Sequence, residues 1–152
     1  MKDHEHANHT LKLKDRMKKF LQGEKPKKTI FSTVTFDNKL LSVRGEVQRE
    51  PWKDLWLEAS GWFYFCNKIS LTIENKSNAP VNTRNCKQPI VLDFKVKGIL
   101  NNVELLEKCA HNPELVMGVK DGNVILEHVQ INHGEPLKLA FLAWFAVHVS
   151  DL

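Results

Sequence analysis

Residues 29–48, TIFSTVTFDNKLLSVRGEVQ, set two runs rich in β-branched and apolar residues on either side of Asp37-Asn38. Asp-Asn is two-residue turn chemistry, and Leu41, Val43 and Val47 fall on one face of the second run. Together these features predict a β-hairpin. The pattern recurs near the end of the chain, where LVMGVK and VILEHVQI flank Asp121-Gly122-Asn123, a strong hairpin signal. FYFCNKISLTIEN (63–75) alternates at Ile69, Leu71 and Ile73 and reads as a strand. In PIVLDFKVKG (89–98), Ile90, Leu92, Phe94 and Val96 alternate with Asp93, Lys95 and Lys97, as expected of a strand with one face on a core and one in water. NKSNAPVNTRNCKQP (75–89) carries turn signals throughout and reads as a loop, long enough to be functional or mobile.

Three segments show helical spacing. After Glu50-Pro51, the residues Trp52, Leu55, Trp56, Ala59 and Phe63 recur at i, i+3, i+4, i+7 and i+11, which predicts an amphipathic helix over 51–60 with Pro51 in its first turn and Gly61 near its end. VELLEKCAH (103–111), capped by Asn101 or Asn102 and stopped by Asn112-Pro113, predicts a second short helix. LKLAFLAWFAVHV (137–149) fits both periods: alternation from Leu137 to Val149 fits a strand, while Leu137, Ala140, Phe141, Trp144, Phe145 and His148 favour a helix whose tail runs extended. The expected fold class is therefore α+β: a mainly antiparallel sheet built from hairpins, with two or three helices packed on one face. No βαβ series is present, which argues against a doubly wound sheet.

Charge divides the chain in two. Residues 1–28 hold nine Lys and Arg against four acids, and residues 29–152 hold thirteen against fourteen. The basic excess thus lies in an N-terminal arm (1–28), ahead of a nearly neutral globular domain (29–152). Within the arm, Leu13, Met17, Phe20 and Leu21 follow Thr10 at helical spacing until Gly23 and Pro26 end the run, so a short amphipathic helix is expected there. The first ten residues are polar and no apolar run reaches membrane-spanning length, so the expectation is a cytoplasmic or nuclear protein with no signal peptide or transmembrane segment. Cys66, Cys86 and Cys109 are then read as reduced thiols.

Reactive signatures are weak. His4, His6 and His9 cluster in the arm without a fourth ligand, and Cys109-Ala110-His111 lacks zinc-site spacing relative to Cys66 or Cys86, so neither a metal nor another cofactor is expected. There is no nucleophile elbow and no phosphate-binding glycine loop. Glu127 and His128, adjacent on a predicted strand, should face opposite ways; His133 near Glu135 sits in a turn. Of the aromatic concentration Trp52, Trp56, Trp62, Phe63, Tyr64 and Phe65, the helically spaced members are expected in the core, with Trp62 and Tyr64 better placed for exposure.

A basic arm on a neutral body points to a polyanionic partner. The first reading is a non-enzymatic nucleic-acid-binding protein, for RNA or single-stranded DNA with low sequence specificity, in which Lys12, Lys14, Arg16, Lys18, Lys19, Lys25, Lys27 and Lys28 neutralise phosphates. The second is a membrane-associated, self-associating assembly protein with the layout of small viral matrix proteins; there the same arm lies on anionic lipid with Met17, Phe20 and Leu21 inserted. The third is a small enzyme or ligand binder using the 75–89 loop.

Overall fold

The computed structural model describes residues 27–57, 59–94 and 97–151. The architecture is a β-sandwich, and this overturns the expected α+β class: the described residues are mostly antiparallel strand, with no helix of seven residues or more. The larger sheet runs β1 (Lys27–Phe36), β2 (Lys39–Arg49), β4 (Trp62–Asn75), β11 (Leu137–His148) and β7 (Ile99–Leu105), with β3 (Leu55–Leu57) also paired to β4. A second sheet has the order β6 (Ile90–Leu92), β9 (Asn123–Glu127), β8 (Val116–Lys120). A two-stranded ladder joins β5 (Val81–Asn82) to β10 (Gln130–Ile131).

Both predicted hairpins form. Asp37 and Asn38 have φ of 50° and 59°, and Asp121 and Gly122 have φ of 53° and 76°, the left-handed pair that matches a two-residue turn to the twist of its strands. Register then fixes the faces. In the β4–β11 ladder Ile69 sits opposite Phe141, Leu71 opposite Leu139 and Ile73 opposite Leu137. These inward residues are buried with Leu41, Val43 and Val47 of β2, and against them pack Ile90, Leu92, Val124 and Leu126 of the second sheet. The covering layer predicted to be helical is thus a sheet.

Each misread segment found a partner that a helix would have denied it. Over 51–60, Pro51 opens only a one-turn 3-10 segment, Pro51–Lys53, before the chain extends as β3. Trp56 meets Phe63 across the β3–β4 hairpin, ring centroids 5.1 Å apart, rather than along a helix. Arg49 clamps the bend through a bidentate pair with Asp54 (3.1 and 2.6 Å), whose Oδ1 also accepts from the Cys66 N–H at 2.7 Å. Trp52, expected in the core, is 79% exposed. In 103–111, Val103 and Leu105 lie opposite Ala143 and Phe141, so the segment completes the sheet edge as β7. Segment 137–149 bonds to β4 on one side and β7 on the other, which satisfies its backbone groups as a central strand. Among the described residues of 89–98, Ile90–Leu92 form the strand and Phe94 is half-buried edge-on to Phe141, at 6.1 Å; Lys95 and Val96 lie outside the described residues.

The long 75–89 segment is pinned by buried polar side chains. Asn75 Nδ2 donates to the Ala79 and Ile131 carbonyls (2.8 and 2.9 Å), while its Oδ1 accepts from the Ser77 N–H and hydroxyl (2.9 and 2.7 Å). β5 follows, then a one-turn helix α1 (Thr83–Cys86) capped by Asn82, whose side chain accepts from the Arg84 N–H. Asn112 gives Gln130 a strand-like pair of bonds, donating to its carbonyl at 3.0 Å and accepting from its N–H at 2.8 Å.

Candidate binding surfaces

The inner face of the large sheet is core. Its outer face, carried by the even-numbered residues of β2, β4 and β11, has no second sheet over it among the described residues. That face has two parts.

The middle is polar. Cross-strand rows place Phe31 opposite Arg44, Arg44 opposite Thr72 and Thr72 opposite Lys138; the next row is Thr29, Glu46, Ser70 and Ala140. A groove of about 480 Å³ crosses these rows, with Glu107 and Lys108 at its far end. Gly45 allows the strands to approach there: a Cβ at this position would stand 2.0 Å from the Ser70 carbonyl oxygen. Phe31 is 73% exposed and lies opposite Arg44, an aromatic and a cation in one cross-strand pair. Arg44 and Lys76 both pair with Glu74 (3.5 and 2.9 Å), and the Lys76 hydrogen bond is the main cause that holds the Glu74 carboxyl below its usual range. Cations and acids on this face nearly balance: Arg44, Lys68, Lys76, Lys108 and Lys138 are set against Glu46, Glu74, Glu104 and Glu107.

The end is apolar. β3 takes the place beside β4 that β2 vacates, so Leu55 lies opposite Tyr64 and Leu57 opposite Trp62. The rows continue through Tyr64–Ala146–Ile99 and Trp62–His148. Leu55, Leu57 and Ile99 are all more than half exposed, while Trp62 and Tyr64 are half-buried. Trp144 Nε1 donates to the Lys53 carbonyl at 3.1 Å, holding the turn that bears Trp52 at the margin of this patch. His148 Nδ1 accepts from the Ser150 N–H at 3.2 Å and stands edge-on to Trp62 with centroids 5.0 Å apart.

Of the expected phosphate-binding residues, Lys12, Lys14, Arg16, Lys18, Lys19 and Lys25 lie outside the described residues, as do Met17, Phe20, Leu21, the arm helix and the His4–His6–His9 cluster. Lys27 and Lys28 begin β1, with Lys27 opposite Gln48. The arm therefore joins the body at the edge of the outer face, beside the strand end that leads through Arg49 and Glu50 into the Trp52 turn. Glu127 and His128 do not form a dyad: β9 ends at Glu127, and His128 leaves it with φ of 56°. The carboxylate of Glu135 accepts from the Asn132 amide at 3.1 Å. Among the described residues no group of three His, Cys, Asp or Glu is placed to hold a metal ion. All three thiols are pushed up, each first by burial; Cys66, enclosed between β4 and the Trp52 turn, reaches about 11. A thiol in that state is a poor nucleophile at neutral pH.

The apolar end was missed because Trp52, Leu55 and Trp56 fit a helix as well. The signal that finds it is alternation in LWL and WFYF about a short glycine-containing turn. Among the described residues no helix is long and apolar enough to cross a membrane. No family model, curated protein or solved structure matches the chain.

Proposed function

We propose that the protein is a non-enzymatic binding module for single-stranded nucleic acid, with low sequence specificity, that grips phosphates through its basic arm and offers the polar outer face of its large sheet as a platform. The observation that carries the reading is the charge segregation: nine cations against four acids over residues 1–28, joined at the edge of an open sheet face. Lys12, Lys14, Arg16, Lys18, Lys19, Lys25, Lys27 and Lys28 supply the affinity. The face, being close to electrically balanced, supplies little of it. Its contribution is Phe31, an exposed ring beside Arg44 on which a base can stack. Three free thiols suit a reducing compartment, the cytosol or nucleus.

The test is fluorescence anisotropy of the full chain with a labelled oligouridine over a salt series. Affinity should fall steeply with salt, with a log–log slope of about −0.7 for each phosphate neutralised. Replacing Lys18, Lys19, Lys27 and Lys28 by Glu should abolish binding. Phe31→Ala should weaken it roughly fivefold or more through lost stacking. Equal affinity in the charge-reversed protein would end the proposal.

A further inference from the structure

The apolar end of the outer face is not explained by nucleic-acid binding. Aliphatic side chains do not stack on bases, yet Leu55 and Leu57 of β3 and Ile99 of β7 are 57%, 52% and 64% exposed on one face, and Trp52, in the turn before β3, is 79% exposed. Register makes the patch continuous across β3, β4, β11 and β7, because directly opposed residues in an antiparallel ladder share a face. Its chemistry is that of a bilayer interface: Leu55 and Leu57 on one side and Ile99 on the other flank Tyr64 and Trp62, rings with a polar edge.

We propose that this end of the sandwich docks on an anionic lipid bilayer, with Leu55, Leu57 and Trp52 entering the headgroup region. The charge of the arm and its point of attachment select lipid over an uncharged partner. The segment that carries the basic excess enters β1 opposite Gln48, four residues before Trp52 on the neighbouring strand, and Lys53 is exposed beside that ring. The basic excess is thus joined to the body at the same end of the sheet as the apolar patch, which suits the pairing of electrostatic and hydrophobic signals that a stable peripheral contact requires. The Arg49–Asp54 clamp and the Trp144–Lys53 hydrogen bond fix the presenting turn, so little ordering accompanies docking.

The experiment is flotation of the nuclease-treated full chain with phosphatidylserine–phosphatidylcholine vesicles, alongside vesicles of phosphatidylcholine alone. The protein should float with the anionic vesicles, and brominated acyl chains should quench its tryptophan fluorescence. Leu55→Ser with Leu57→Ser should lower partitioning about tenfold or more, since apolar burial drives insertion. Trp52→Ala should remove much of the quenching. Oligouridine binding should survive both changes, so failure here is separable from failure of the nucleic-acid reading. Undiminished flotation of the double variant would overturn the proposal. So would a wild-type chain that self-associates in solution and becomes monomeric in the double variant, because the patch would then be a contact between copies.

Discussion

The middle and the end of the outer sheet face share one backbone pattern and differ in chemistry. Both alternate with a buried inner face, since Leu71 and Ile69 lie beneath the middle as Phe63 and Phe65 lie beneath the end. Outward, the middle shows Thr29, Arg44, Ser70 and Thr72, which are content in water. The end shows Leu55, Leu57 and Ile99, which are not. An antiparallel sheet can leave a polar face open without cost, whereas an exposed apolar row marks an interaction site. The two proposals read this contrast as different partners for two stretches of one continuous surface.

Breaking the shared scaffold should abolish the contrast altogether. Phe141 is fully buried between the sheets, and Phe141→Ala should cost about 3–5 kcal/mol by urea denaturation, through lost transfer energy and the cavity left behind. Asp54→Ala strikes the end selectively. It takes the carboxylate from the Arg49 guanidinium, 9% exposed, which keeps its bond to the Cys66 carbonyl at 2.7 Å but loses its counter-charge. It also removes the acceptor of the Cys66 N–H. A loss of about 3 kcal/mol is expected. The near-ultraviolet circular dichroism of the tryptophans around the bend should change with it. Gly45→Ala strikes the middle: the new methyl meets the Ser70 carbonyl, and the resulting shift should cost about 1–3 kcal/mol and reshape the groove while leaving the end intact.

The sequence was legible where local chemistry decides. Asp37-Asn38 and Asp121-Gly122 determine their turns within a few residues, and the strands beside them follow with correct faces at Leu41, Val43 and Val47. It misled where two periods overlap. Leu137, Phe141, Trp144 and Phe145 satisfy a helix, and Leu137, Leu139, Phe141, Ala143 and Phe145 satisfy a strand. A slot between β4 and β7, strands more than sixty and thirty residues away in the chain, decides between them. The same holds for Trp56, whose stacking partner lies across a hairpin. Of the candidate site, the basic cluster could be read directly from composition. The apolar end could not, because exposure depends on which face the second sheet covers. The expectation that Trp62 and Tyr64 stand nearer to solvent than the other aromatics pointed to part of it: both are half-buried on the outer face, but Trp52, expected in the core, is the most exposed of the group.

Alkaline pH separates the buried junction between middle and end from the surfaces it joins. Cys66 has its thiol raised to about 11 from an ordinary 9.0, first by burial and then by the Asp54 carboxylate. The folded chain therefore holds this proton where the unfolded chain releases it. The associated stability is complete below pH 9.0 and is lost as pH climbs toward 11, so the urea midpoint should fall across that window. Cys66→Ala should flatten the part of the decline that belongs to this residue. A disulfide-exchange reagent at pH 8 should label Cys66 only as fast as the fold opens.

The smallest expected stability change is at the end itself. Leu57→Ser alters a side chain 52% exposed on a short strand and should move the urea midpoint by less than about 0.5 kcal/mol equivalent. Yet it removes apolar surface from the row that Leu57 and Trp62 form. Near-neutral stability combined with reduced vesicle partitioning is the signature of a residue retained for contact with a partner. A large loss of stability would instead mean that Leu57 serves the core, and the difference between the two parts of the face would then be one of packing rather than of partner.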